Sequence, residues 1–176
     1  MMPLSYFGSE VLREPAQPVI KVSAEIKKLI EEMFETNKAA NGVGLAAPQV
    51  GVGKRVVIID LSHTGIEPFA LVNPVLSRCR GCAEDSEGCL SLPGIFLPVP
   101  RFEKISVRAR DEKGRSIVID AEGFLARVIQ HELDHLDGKL FIDHVEDKEA
   151  VERELLALKD RLAQIALTGK WEQDDE

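Results

Sequence analysis

Two histidines stand four residues apart, with a glutamate directly after the first, in His131-Glu132-Leu133-Asp134-His135. No other feature constrains this chain as much. On an α-helix, residues four apart share one face. Both imidazoles can therefore reach a single metal ion, and Glu132 beside them can act on a water as general base. Val128, Ile129, Leu133 and Leu136 are apolar, so the pattern predicts a buried helix from about Gly123 to Asp137, stopped by Gly138. A buried pair of histidines needs a partner. The same pattern also occurs by chance in helices that bind nothing, and two histidines do not complete a catalytic site, which takes three protein ligands.

The third ligand has several candidates. An extended pattern with a further histidine after Gly138 would place it at Phe141, so that arrangement fails. Glu154 lies about one helix downstream, in a segment already rich in acids. His144 has no pattern behind it. Cys89 ranks first: it sits in the turn-like Glu87-Gly88-Cys89-Leu90-Ser91, and a thiolate both binds a divalent ion strongly and partly neutralises it. A buried structural cysteine is the plainer alternative. Cys79-x-x-Cys82 has the spacing of a zinc knuckle, but no second such pair follows, so these read as two loop thiols.

The cysteines also bear on compartment. There are three, an odd number that argues against a disulfide framework. Met1 to Phe7 lack a basic and then apolar leader pattern, and no apolar run approaches the ~18 residues of a membrane span. A reducing cytoplasm is the expected setting. At 176 residues, with 44% hydrophobic and 30% charged, the chain suits one domain, read as residues 1–170 with an acidic, disordered tail at 171–176. The net charge is −8, with 30 acids against 22 bases. That balance argues against wrapping a nucleic-acid backbone.

Elsewhere, Ser23 is placed to cap a helix to about Asn37, in which Ile26, Leu29, Ile30, Met33 and Phe34 recur at helical spacing. Residues 42–53 are glycine-rich. Gly42-Val-Gly44-Leu-Ala-Ala47 mimics a dinucleotide fingerprint, but it follows a helix and precedes a strand, the reverse of what that site needs. It suits close approach of a peptide backbone instead. Lys54 to Leu61 reads as a strand, and Phe69 to Leu76 as a second one broken at Pro74. Residues 77–88 read as a polar loop, and Leu92 to Pro100, with three prolines, as irregular extended chain. Lys104–Arg110 and Ser116–Ala121 form a hairpin. A last helix is expected from Asp143, with capping-box spacing to Glu146, to about Leu167. Strands in mid-chain between helices give an α+β class: antiparallel or mixed sheets around a central metal-binding helix, with N-terminal and long C-terminal helices.

Taken together and in order, Gly42-Val-Gly-Leu-Ala-Ala-Pro-Gln49, Glu87-Gly-Cys-Leu-Ser91 and Gln130-His-Glu-Leu-Asp-His135 resemble the motifs of the peptide deformylases. The resemblance extends over nearly the whole chain, including Val11-Leu12-Arg13 and Asn73-Pro74. It implies removal of the formyl group from the N-terminal formyl-methionine of nascent chains, with release of formate. By position it implies Cys89, His131 and His135 as metal ligands. Glu132 would be the general base and acid, with the Gln49 amide and the Leu90 backbone N–H stabilising the oxyanion. Val43, Phe124, Val128 and His131 would line a methionine pocket, and Gly44 would admit the peptide as an added strand. The implied cofactor is one divalent ion, Fe(II) in the family, with Zn, Ni or Co as substitutes. The implied partners are formyl-methionyl nascent peptides and, transiently, the ribosome. Some members carry an arginine where this chain has Phe96. Two other readings remain beside this one: a zinc endopeptidase with Glu154 as third ligand, and a non-catalytic metal-binding module built on Cys79, Cys82 and Cys89.

Overall fold

The computed structural model describes residues 1–169; the acidic segment at 171–176 lies outside them. Ser23 Oγ accepts from the Ile26 N–H at 3.4 Å and starts α1 (Ala24–Ala39). The cap contributes about 1 kcal/mol, whereas Leu29, Ile30 and Met33 are each buried at roughly 1.5–3 kcal/mol apiece. Packing, more than capping, therefore holds α1 in place.

Next come β1 (Gly44–Ala46), a 3-10 turn over Ala47–Val50 and β2 (Val56–Ile59). β3 (Phe69–Arg80) is followed by β4 (Ala83–Cys89), β5 (Leu92–Arg101), β6 (Lys104–Arg110) and β7 (Ser116–Glu122). β7 runs directly into α2 (Gly123–Leu136), and α3 (Lys148–Thr168) closes the described chain. Five strands form one antiparallel sheet in the order β1-β2-β3-β6-β7, while β4 and β5 pair separately. The fold is the α+β arrangement expected. α2 packs against the sheet through Ala126, Ile129, Leu133 and Leu136, while α1 covers residues of β1 and β2 on the opposite face. β5 and α3 share a third core with Phe141 and Ile142.

Three local expectations need correction. Residues 77–88 are not a loop: they complete β3 and form most of β4. β4 is almost entirely polar, so it carries no period-two signature, and its pairing with β5 makes it a strand. Leu92–Arg101 is extended as expected and forms one strand despite Pro93, Pro98 and Pro100, with a register shift against β4 between Glu87 and Cys89. A two-stranded ribbon has free edges, where a missing N–H costs little, and Leu92, Ile95, Leu97 and Val99 anchor it inward. The last helix begins at Lys148, where Asp147 Oδ1 accepts from the Ala150 N–H at 2.9 Å. Asp143 instead lies in a 3-10 turn, accepting from the Leu140 N–H and from Arg13. Pro74 falls, as expected, at a register shift between Val72 and Val75.

Candidate metal centre

α2 carries His131 and His135 on its buried face, and Cys89 reaches them from the end of β4. The ligand atoms of these three residues all lie within 4.8 Å of one another. Cys89 Sγ is 3.4 Å from His135 Nε2. A tetrahedral ion with ordinary Zn–S and Zn–N bonds would separate such atoms by about 3.6 Å. The donor set therefore fits one divalent ion. Among the described residues no other group of three such side chains is suitably placed.

Glu87 orients one ligand. Its Oε2 lies 2.9 Å from His131 Nδ1, which leaves Nε2 of that ring for an ion. Two arginines fix Glu87 in turn. Arg101 bonds it through Nε at 2.8 Å and Nη2 at 3.0 Å, and Arg127 Nη1 bonds it at 2.9 Å. Arg101 also reaches Asp134, whose Oδ2 receives His144 Nε2 at 2.8 Å. The buried Glu87 carboxylate and the partly buried Asp134 thus face two buried guanidiniums. Burial alone would raise the Glu87 carboxyl, but the hydrogen bonds from His131 and Arg101 outweigh it and bring it down to about 2. Burial would lower the His131 imidazole, yet its bonds to Cys89 and Glu87 raise it well above the usual range. Burial, reinforced by the neighbouring His131, takes His135 well below it, to the neutral form that ligates. Phe141, where a third histidine fails to occur, stacks on the His131 ring.

Glu132, next along α2, lines the cleft. Its Oε2 is buried with no hydrogen-bond partner, and burial raises its carboxyl to about 7. β1 passes so near that a Cβ on Gly44 would stand 2.8 Å from Glu132 Oε1. Gln49 is 2% exposed. Its Oε1 accepts from the Ala46 N–H at 2.9 Å, and its Nε2 faces Cys89 Sγ at 3.4 Å and Ser91 Oγ at 3.2 Å. A cavity of about 620 Å³ opens over these groups. Val43, Gly44, Leu90, Phe124 and Val128 line it, as does Phe96.

The structure therefore brings every candidate from the three motifs to one place. It separates the alternatives. Glu154 pairs with Arg161 on α3, Cys79 packs against the core and Cys82 is exposed. The motif reading left Arg101, Arg127 and Asp134 without roles. Arg127 precedes His131 by one helical turn, so its place on the metal face of α2 was available from spacing; Arg101, 33 residues from its helix partner Asp134, had no such signal.

A buried His-Glu-x-x-His helix completed by a cysteine, at the floor of an open cleft, defines a metal-dependent hydrolase. Residues 1–151 match the polypeptide deformylase family model. The chain is 53% identical over 136 residues to a peptide deformylase from Desulfitobacterium hafniense, covering 77% of this chain and 89% of the relative. It is 50% identical over 135 residues to one from Symbiobacterium thermophilum, again covering 77% of this chain but spanning 62% of that relative's length. A crystal structure of the Thermus thermophilus peptide deformylase superposes with a TM-score of 0.84 at 41% identity, covering 97% of this chain and all of that one. A Synechococcus elongatus peptide deformylase in complex with actinonin gives 0.86 at 43%, covering 89% of this chain and 86% of that one. The chain belongs to the polypeptide deformylase family, hydrolases that remove the N-formyl group from newly made polypeptides.

Proposed function

We propose that this chain deformylates N-terminal formyl-methionine by the chemistry its cleft supports. The observation that carries the reading is the buried, unpartnered Glu132 carboxylate oxygen beside the Cys89–His131–His135 cluster. Cys89, His131 and His135 would hold a divalent ion, which would supply Lewis acidity and lower the pKa of water there. Glu132 takes the proton from the attacking water and returns it to the leaving nitrogen, freeing formate. Its raised carboxyl suits a group that must both accept and donate near neutral pH. The Gln49 Nε2 and the Leu90 backbone N–H donate to the developing oxyanion. Val43, Phe124, Val128 and the His131 ring surround the methionine side chain, and Gly44 lets the peptide backbone lie alongside β1.

The thiolate and imidazole set accepts Fe(II), Zn, Ni or Co, and Fe(II) is the proposed physiological ion. Three unpaired thiols suit a reducing cytoplasm, and no helix among the described residues is long and apolar enough to cross a membrane. A nascent-chain substrate makes the ribosome the proposed transient partner. Formate release from a formyl-Met peptide, measured on anaerobically purified protein, tests the reading. Turnover that disappears with chelation and returns with Fe(II) supports it, whereas an absence of formate with metal bound overturns it.

A further inference from the structure

The first residues of the chain run as a strap between the three motifs. The Ser5 N–H donates to the Gln49 carbonyl at 2.7 Å, and the Phe7 N–H donates to the Ser91 carbonyl at 2.9 Å. Further along, the Ala16 N–H donates to the carbonyl of Leu136, the residue after His135, at 2.8 Å. Gln49 is 2% exposed and Ser91 is fully buried. Carbonyls so removed from water need a donor, and the strap supplies one to each.

Gln49 and Leu90 come from different parts of the fold. The 3-10 turn over Ala47–Val50 follows β1 of the five-stranded sheet, whereas Leu90 sits between β4 and β5 of the separate ribbon. Among the described residues no backbone hydrogen bond joins these two turns directly. Their direct links are made by side chains. Gln49 Nε2 reaches Ser91 Oγ at 3.2 Å and Cys89 Sγ at 3.4 Å, and Leu90 rests on the core under α1. The Gln49–Ser91 bond is at the long limit of its kind, and an apolar contact has no preferred direction. The strap is better placed to fix a distance. Leu4 packs on the core under α1, and Phe7 on the core shared by β5 and α3. Tyr6, between them, lines the cleft.

We propose that residues 4–7 are a positioning strap for catalysis: through the Ser5 and Phe7 N–H groups they set the separation between the Gln49 amide and the Leu90 N–H. Oxyanion donors act when they stand about 2.7–3.1 Å from the place where charge develops, so a small shift of either turn weakens them. A slack strap leaves both donors present and wrongly spaced. His131 and His135 are held by α2, and Cys89 by the pairing of β4 with β5. The strap therefore acts on turnover and leaves metal binding alone. The inference rests on the deformylase reading, which gives Gln49 and Leu90 their part.

The test uses two full-length, zinc-loaded variants. Ser5→Pro removes the N–H that holds Gln49, and Phe7→Ala removes the ring that anchors the strap beside Ser91. For a formyl-Met peptide, kcat should fall about tenfold or more in Ser5→Pro, with KM and metal content unchanged. Ser5→Ala keeps the N–H and should rescue turnover. Phe7→Ala should lower kcat in the same sense, and it carries the test if Ser5→Pro does not fold. Amide resonances of nitrogen-15-labelled protein give a readout apart from activity. The Gln49 side-chain amide and the Leu90 N–H should shift in Ser5→Pro and Phe7→Ala and stay in place in Ser5→Ala. Wild-type kcat in folded Ser5→Pro and Phe7→Ala overturns the proposal, as does an effect confined to KM or to thermal stability, or an equal loss in Ser5→Ala. If the unaltered chain releases no formate, the deformylase reading fails by itself, and the resonances still show whether the strap places the two donors.

Discussion

His131 Nδ1 and Glu87 Oε2 lie 2.9 Å apart, and that contact ties the metal cluster to a buried charge network. Glu87 holds the His131 ring in orientation, while Arg101 and Arg127 hold Glu87. Replacing Glu87 should therefore act twice. Glu87→Gln keeps a polar contact to His131 but loses the charge, and metal affinity should fall about 10–100-fold. Glu87→Ala also leaves two guanidiniums buried without their shared partner, at a cost of roughly 3–5 kcal/mol. Competition with a chromophoric chelator reads the first effect and urea unfolding the second. Unchanged affinity in Glu87→Gln would remove the orienting role.

Glu132 presents the opposite case: a buried carboxylate with an unsatisfied oxygen, which the proposed proton-transfer role would account for. Glu132→Ala should lower kcat for formate release by about 10²–10⁴-fold while metal content stays at one ion per chain. The same change removes a desolvated acid, so stability should hold or rise by about 1 kcal/mol. Full activity in this variant sinks the proton-transfer role. A large loss of stability would mean that the carboxylate is structurally engaged.

Most of this site could be read in the sequence because its ligands lie in short, local patterns. Helical spacing placed His131, Glu132 and His135 on one face, and the prediction of α2 within a residue of its ends follows from the same periodicity. The β-strands were less legible. β4 is polar and β5 is proline-rich, and only their mutual pairing makes them strands, a long-range fact without a local signal. Asp143 shows the limit at shorter range. Its spacing to Glu146 imitates a capping box, but its carboxylate is taken by Arg13, 130 residues away, and Asp147 caps the helix instead. Arg101 is legible only once β5 is placed, since its partners Glu87 and Asp134 come from β4 and α2.

Gly44 brings the backbone of β1 close to the Glu132 carboxylate. A methyl there would stand 2.8 Å from Glu132 Oε1 and 3.0 Å from its Cγ, so the carboxylate must move by several tenths of an ångström. Gly44→Ala should keep its metal and lose about 10–100-fold in kcat, the scale of a misplaced catalytic group. Normal turnover would show that Glu132 has room to adjust and that its present position is not the working one.

The third ligand separates the deformylase site from the endopeptidase alternative. Cys89→Ala should release the ion, with metal content after gel filtration falling well below one per chain. Glu154→Ala should retain it, because Glu154 pairs with Arg161 on α3 and contributes nothing to the cluster. The reverse result, metal lost with Glu154 and kept without Cys89, would reassign the centre.

Arg13 and Asp143 join the N-terminal segment to the turn before α3, with Nη1 to Oδ2 at 2.7 Å and Nη2 to Oδ1 at 3.2 Å. Partial burial would raise the Asp143 carboxyl, but the bonds from Arg13 and the Leu140 N–H outweigh it and hold it below the ordinary carboxylate range. A carboxyl lowered on folding stabilises the native state above its unfolded pKa of about 3.9, and that contribution is lost as pH falls through the folded value. Wild type should therefore be more stable than Asp143→Asn at pH 6, and the gap should close between about pH 4 and the lower pH at which the native carboxyl protonates. Comparing the two proteins isolates this pair from Glu87 and the other carboxylates that titrate in the same window. Both side chains are more than a third exposed, so screening keeps the pH 6 gap small, and 0.5 M salt should narrow it further. A gap that stays constant from pH 6 to pH 3 would show that Asp143 contributes through its backbone-capping bond alone, and that its charge is without effect.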